Sequence, residues 1–176
     1  RRFRKRKINL SDGFFQAVLP EILDRVPDVE EGATPLETFL EVNDKLRRIN
    51  HLQIEEIARK STARPLWDRT FSQLSNSKVE SVFADERSYY YDGNEVDNQT
   101  HLGFDLASVA RTPIECSNDG VVAYADYLGI YGNCVIVDHG LGLLSLYAHL
   151  SSIQVEPGDR LSRGQSVGLS GQTGLA

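Results

Sequence analysis

From about residue 65 onward the chain is a succession of short apolar runs cut by turn residues, with no helical stretch between them. The runs Val79–Phe83, Gly103–Ala107, Gly120–Ala125, Cys134–Asp138 and Leu143–His149 have strand composition. Asn118-Asp119-Gly120, Gly129 to Asn133, Gly140 to Gly142 and Pro157-Gly158-Asp159 are turn signals, since these residues tolerate or require turn dihedrals. Parallel strands need crossover segments of a dozen residues or more, and there is no room for them here. An antiparallel sheet domain follows. Between Val155 and Gly174, glycines at 158, 164, 168, 171 and 174 alternate with short apolar pieces, which suits a small sheet folded tightly on itself.

Before residue 65 the pattern changes. Ser11 can cap a helix that turns Phe14, Phe15, Val18 and Leu19 to one side, with Pro20 either accommodated or ending it. Val26 to Ala33 is acidic, contains Pro27 and Gly32, and reads as a loop. Thr34-Pro35-Leu36-Glu37 is a capping box with proline at the first helical position. Apolar residues from Leu36 to Ile57 recur at helical spacing, predicting a helix to about Lys60, with a break near Asn50 and His51. The fold class is therefore α+β: a helical N-terminal region over 1–65, regulatory or spacer in role, then a mainly antiparallel β domain over 66–176.

A net charge of −6 with a pI of about 5.2 argues against a general polyanion binder, so no nucleic-acid partner is expected. The exception is the run Arg1, Arg2, Arg4, Lys5, Arg6 and Lys7, which reads either as a solvated, frayed terminus or as a basic patch beside a membrane or polyanion. No apolar run approaches the ~18 residues of a membrane span. The sequence starts at Arg1 and has no methionine, so it reads as an internal piece, with a membrane anchor upstream of Arg1 among the expectations. Cys116 and Cys134 fit one disulfide or two buried thiols; free or structural cysteines are expected, as no C-x-x-C spacing occurs.

Four histidines deserve weighing. His51 lies far from other candidate ligands and reads as a surface or packing residue. His101 and Asp105, in His101-Leu-Gly-Phe-Asp105, carry nitrogen and oxygen donors of the kind zinc takes. On an ideal strand they would stand too far apart to share a metal, and Gly103 permits a bend that closes the gap. By itself so short a motif more often marks a strand-edge histidine and a solvated aspartate than a metal site. His149, in Tyr147-Ala-His149-Leu-Ser, would share a strand face with Tyr147 and could stabilise an oxyanion or move a proton; it could also be a packed core residue. His139 ends a strand before Gly140 and suits either a ligand or a structural hydrogen-bonding role. Tyr89, Tyr90 and Tyr91 could line a groove or simply pack.

Taken in order, H-x-G-x-D, Y-G-N-x-V-x-V-D-H-G, Y-A-H-L-S and V-x-x-G-D-x-L-x-x-G-Q-x-V-G-x-S-G-x-T-G resemble the LytM/lysostaphin family of zinc metalloendopeptidases from about Trp67 to Ala176. Phe83-Ala-Asp-Glu-Arg87 resembles the family's F-G-x-R stretch, with one residue more and alanine in place of glycine. The resemblance implies that His101 and Asp105 bind zinc, that His149 is catalytic, that Tyr147 and Arg87 bind substrate, and that His139 is not a ligand. It places a third ligand and a second catalytic histidine in an H-x-H motif beyond Ala176. It implies hydrolysis of peptide cross-links in peptidoglycan, with peptide stems as substrate, an extracytoplasmic location (periplasm or cell envelope), and a cell-wall or division protein as a partner.

Two other readings stand beside it. A catalytically inactive LytM-type regulator would keep the fold and bind cell wall or an amidase, but such proteins commonly lose ligands that this chain keeps. A lipoyl- or biotinyl-type carrier shares the C-terminal glycine rhythm but needs an exposed turn lysine, and no lysine follows Lys78.

Overall fold

A computed structural model of the chain describes residues 3–176. It begins with a strand, β1 (Lys5–Asn9), followed by helices α1 (Asp12–Arg25) and α2 (Pro35–Glu41). A π-helical segment (Val42–Leu46) leads without a break into α3 (Arg47–Arg59). Ten strands follow: β2 (Lys78–Ser81), β3 (Glu86–Tyr91), β4 (Asn94–Thr100), β5 (Asp105–Ala107), β6 (Pro113–Glu115), β7 (Gly120–Tyr127), β8 (Asn133–Asp138), β9 (Leu144–Ile153), β10 (Arg160–Leu161) and β11 (Ser166–Ser170). A 3-10 turn, Gly129–Tyr131, joins β7 to β8.

The largest sheet has six strands in the order β10-β7-β8-β9-β11-β6, and all its pairings are antiparallel, as the turn spacing requires. β8 runs through its middle and its residues from Cys134 to Val137 are fully buried. One face packs Cys116, Val122, Val135, Val137, Leu150 and Val167. The other packs Leu128, Cys134 and Ile136 against Ile54 and Ile57 of α3. Both cysteines are free and buried. β2 and β5 form a separate antiparallel pair.

The basic N-terminal run departs from the expected frayed terminus. Arg1 and Arg2 lie outside the described residues, but β1 pairs in parallel with β3 from Lys5↔Glu86 to Asn9↔Tyr90. Each basic side chain on it has a reason to be ordered. Lys5 pairs with Glu86 at 3.1 Å, Arg6 with the buried Asp85 at 3.5 Å, and the Lys7 ammonium lies 3.9 Å over the Tyr90 ring. β3 and β4 form a hairpin closed by Asp92 and Gly93, both at positive φ, as the primed hairpin turns require. Tyr89 and Tyr91 pack with Phe15 and Phe39 of α1 and α2, and Tyr90 donates to Glu95, so this cluster builds the core rather than a groove. Contacts thus cross residue 65 extensively, and the helices rest on a sheet made from both sides of it.

α1 carries the Ser11 cap and takes Pro20 within it; α2 has the full Thr34–Glu37 capping box. The helical irregularity falls at Val42–Leu46, not at Asn50 and His51. The wider turn keeps Val42 and Leu46 in the core while Asn43, also buried, donates to Asp97 of β4 at 2.6 Å and accepts from Arg47 at 2.6 Å. Asn50 sits inside α3, and its buried side-chain oxygen accepts the Ile130 N–H at 3.0 Å.

Candidate metal and catalytic site

His101 lies just past β4 and Asp105 opens β5, so the chain bends between them in a loop instead of distorting a single strand. The bend is fixed by backbone bonds: His101 N–H donates to Asp85 O at 2.9 Å, and its carbonyl accepts from Ala84 N at 2.8 Å. Its Nδ1 lies 3.1 Å from Val82 O, and since a carbonyl only accepts, Nδ1 carries the proton. Nε2 is thereby turned away from Val82, 3.0 Å from Asp105 Oδ1.

The second Asp105 oxygen accepts from Arg87 Nη2, and Arg87 also donates to Ser81 Oγ at 3.1 Å. Ser81 in turn donates to Asp85 at 2.7 Å. The Ser81 hydroxyl, the Val82 N–H and the charges of Arg4 and Arg6 hold Asp85 below the usual carboxylate range, against the opposing effect of burial. A polar chain therefore runs from Arg6 through the buried Asp85 and Ser81, and through Arg87, to the exposed Asp105.

His149 is the third component. Tyr147 stands opposite Val135 and Leu150 opposite Asn133, so β9 carries one residue more than β8 across this stretch. The bulge is taken up at His149, whose φ is +59°. The bulge removes the strict alternation that would have put Tyr147 and His149 on one face. The Tyr147 hydroxyl is taken up elsewhere: it accepts from Ser117 N at 2.7 Å and donates to Ser117 Oγ at 2.9 Å, among residues of the second core. His149 Nδ1 meets the carbonyl of Thr173 at 2.8 Å and so bears the proton, leaving Nε2 as an acceptor. Burial lowers its pKa, assisted by the Arg47 and Arg87 charges and opposed by the Thr173 carbonyl and Asp105. The imidazole is thus neutral near pH 7, in the electrostatic neighbourhood of Asp105 and Arg87.

His139 is built into the sheet. It is fully buried, with Nδ1 2.7 Å from Asp119 O and Nε2 2.8 Å from Ser145 Oγ, and the Phe71 ring stands edge-on at 4.8 Å. Both nitrogens are used, so it offers no lone pair to a metal. His51 is exposed beside Glu55 on α3.

The His101–Asp105 pair suits zinc in chemistry and spacing: ligands about 2.0–2.2 Å from a tetrahedral cation lie roughly 3.3 Å from each other. The Val82 carbonyl behind His101 and the Arg87 guanidinium behind Asp105 are the outer partners such ligands ordinarily have. Among the described residues, no group of three His, Cys, Asp or Glu side chains is assembled. Sequence reasoning missed Ser81 and Asp85 behind Arg87, and Thr173 behind His149. A small hydroxyl just before the F-x-x-x-R stretch and an acid inside it were the only signals for the first two.

The fold is mainly antiparallel β, with a histidine–aspartate donor pair leading into β5 and a neutral histidine in β9. The crystal structure of a protein from Pseudomonas aeruginosa assigned to peptidase M23 resembles it with a TM-score of 0.54 and 29% identity, over 74% of this chain and 50% of that one. Residues 99–176 match the model of Peptidase family M23, and over them the chain is similar to that family. Among curated relatives, the peptidoglycan DD-endopeptidase ShyA of Vibrio cholerae is 45% identical over 74 residues, 42% of this chain. The DD-carboxypeptidase/endopeptidase Mpg of Neisseria meningitidis is 39% identical over 74 residues, again 42% of this chain. The chain spans 17% of the length of each of these two relatives.

Proposed function

We propose that the protein is a zinc-dependent endopeptidase that hydrolyses peptide cross-links of peptidoglycan outside the cytoplasm. The observation that carries this reading is the convergence of two zinc-type donor atoms, His101 Nε2 and Asp105 Oδ1, at 3.0 Å, each residue backed by its own partner. His101 and Asp105 would supply two zinc ligands, and the metal when bound supplies Lewis acidity that polarises a carbonyl and acidifies water.

The chain's own groups account for the proton. His149 is neutral with Nδ1–H committed to Thr173, so Nε2 can accept a proton from the attacking water and then return it to the departing amide nitrogen. While charged, the same Nε2–H can donate to the developing oxyanion. Arg87 acts on Asp105, holding its second oxygen so that a single oxygen faces the metal position. Leu102 and Phe104, on the loop that carries His101, are each 63% exposed, and Phe83, on the β2–β3 turn that His101 bonds to, is 57% exposed; together they offer an apolar rim to an extended peptide.

The test incubates the full-length protein with purified cross-linked peptidoglycan, with and without a chelator, and reads released fragments by mass spectrometry. Chelator-sensitive release that is lost in His149→Ala supports the proposal, and the fragment masses name the bond. Absence of both cleavage and bound zinc would instead favour a non-catalytic cell-wall-binding protein.

A further inference from the structure

Helix α1 reaches His149 through a single peptide group. Glu21 Oε1 accepts the backbone N–H of Gly174 at 3.0 Å. The carbonyl of that same peptide unit, Thr173 O, is the acceptor for His149 Nδ1 at 2.8 Å. The N–H and C=O are the two ends of one conjugated planar amide. A carboxylate drawing on the N–H makes the carbonyl oxygen more negative, and hydrogen bonds in such a chain strengthen one another.

The peptide unit is also held in place. Thr173 Oγ1 accepts from Asn133 N at 3.0 Å and donates to Leu150 O at 3.0 Å. Leu175 N–H donates to Ile130 O at 2.9 Å. The backbones here approach too closely for side chains. A Cβ on Gly174 would lie 2.4 Å from Gly132 N, and one on Gly132 would lie 2.4 Å from Thr173 Oγ1. Near Glu21, the Arg25 guanidinium lies 5.0 Å from the centre of the Tyr127 ring. Burial first, then the Glu21 carboxylate, push the Tyr127 hydroxyl up.

We infer that Glu21 is a positioning residue for His149, acting through the Thr173–Gly174 peptide unit. It keeps the imidazole proton on Nδ1 and so keeps Nε2 free as an acceptor. This rests on the reading of His149 as the proton-moving group, and it makes the N-terminal helix part of the site rather than a spacer beside it. The arrangement does the work of a carboxylate–histidine pair with an amide interposed.

The experiment reads the tautomer, not hydrolysis, so it can fail independently of the peptidase proposal. Imidazole nitrogens are followed by 15N NMR above pH 7 in the chelator-treated 176-residue chain, with His149→Gln to assign the resonances. The wild-type chain is expected to show a protonated Nδ1 and an unprotonated Nε2 at His149, the reverse of the form free imidazole side chains prefer in water. In Glu21→Ala, the Gly174 amide proton should move upfield and the His149 population should shift toward protonation at Nε2. Glu21→Gln retains an acceptor oxygen, so the tautomer should be retained with a smaller upfield shift at Gly174. A folded Glu21→Ala chain with the wild-type nitrogen pattern would overturn the inference, as would a wild-type His149 protonated at Nε2. If Glu21→Ala fails to fold, Glu21→Gln decides: a smaller upfield shift at Gly174 supports the inference, and an unmoved Gly174 proton overturns it.

Discussion

Arg87 binds the oxygen of Asp105 that His101 leaves free: its Nη2 donates to Oδ2, while Oδ1 faces His101 Nε2 at 3.0 Å. Removing an outer partner of a metal-binding carboxylate commonly lowers metal affinity about 10–100-fold. Arg87→Ala is expected to weaken zinc binding by that order in the full-length protein, measured by competition with a chromophoric chelator. Arg87→Lys should recover only part of it, because an ammonium on a shorter stem does not reach the place of Nη2, the single nitrogen that donates to both Asp105 and Ser81. Wild-type affinity in Arg87→Ala would remove Arg87 from any role around the metal.

Asn50 offers a test of how the helices hold the sheet. Its side-chain oxygen is the partner of the Ile130 N–H, in a place closed to solvent. Asn50→Ala leaves that buried donor unsatisfied, which costs about 1–3 kcal/mol. The urea midpoint should fall accordingly with the slope of the transition unchanged. An unmoved midpoint would mean that water replaces the side chain at no cost.

The pH dependence of stability follows from His139. Burial holds its folded pKa below the ordinary 6.5, with hydrogen bonding to Asp119 O and the charges of Asp138 and Asp119 opposing. Below that value the unfolded chain takes up a proton that the folded chain refuses, so stability falls as pH drops from 6.5 toward the folded pKa. His149 is shifted in the same direction and contributes with the same sign. His139→Gln should be less stable at pH 7 yet lose stability less steeply between pH 6.5 and the acid limit of folding. Chemical denaturation at several pH values measures both, and equal slopes in the two proteins would contradict the assignment.

Cys116 and Cys134 should be silent to thiol reagents until the protein unfolds. Both are fully buried, and burial raises both thiols, Cys134 to about 12. An aromatic disulfide reagent at pH 8 is expected to titrate no thiol in the native chain and both in denaturant. Rapid reaction of either cysteine in the native chain would show that the central sheet opens.

β7, β8 and β9 were legible because they are apolar and their turns carry glycine; β6 was not read, and the 155–174 piece, expected as a small sheet of its own, adds β10 and β11 to the large one. The β3–β4 hairpin was not, although Asp92-Gly93 marks its turn; its strands are rich in charged and polar residues, and the three tyrosines suggested a groove. β1 was hidden for a different reason. A basic run acquires its meaning only from Asp85, Glu86 and Tyr90, which lie nearly half the chain away. In the site, His101 and Asp105 were readable as donor types. The bulge at His149 and the carbonyl that orients it were not, because backbone geometry has no residue type to announce it.

The parallel pairing of β1 with β3 joins residues that the chain separates by three helices and a long irregular stretch. A protease that nicks the segment between Ser61 and Ser77 would therefore cut the covalent link between two pieces that the fold also joins by its own bonds. The leading piece would stay clamped at several places, among them its strand zipped to β3, Asn43 bonded to Asp97, Asn50 latched to Ile130, and Glu21 to Gly174. The two fragments should travel together through a sizing column and part only in denaturant. The protein is, in that sense, already assembled as a complex of two halves that happen to share one chain.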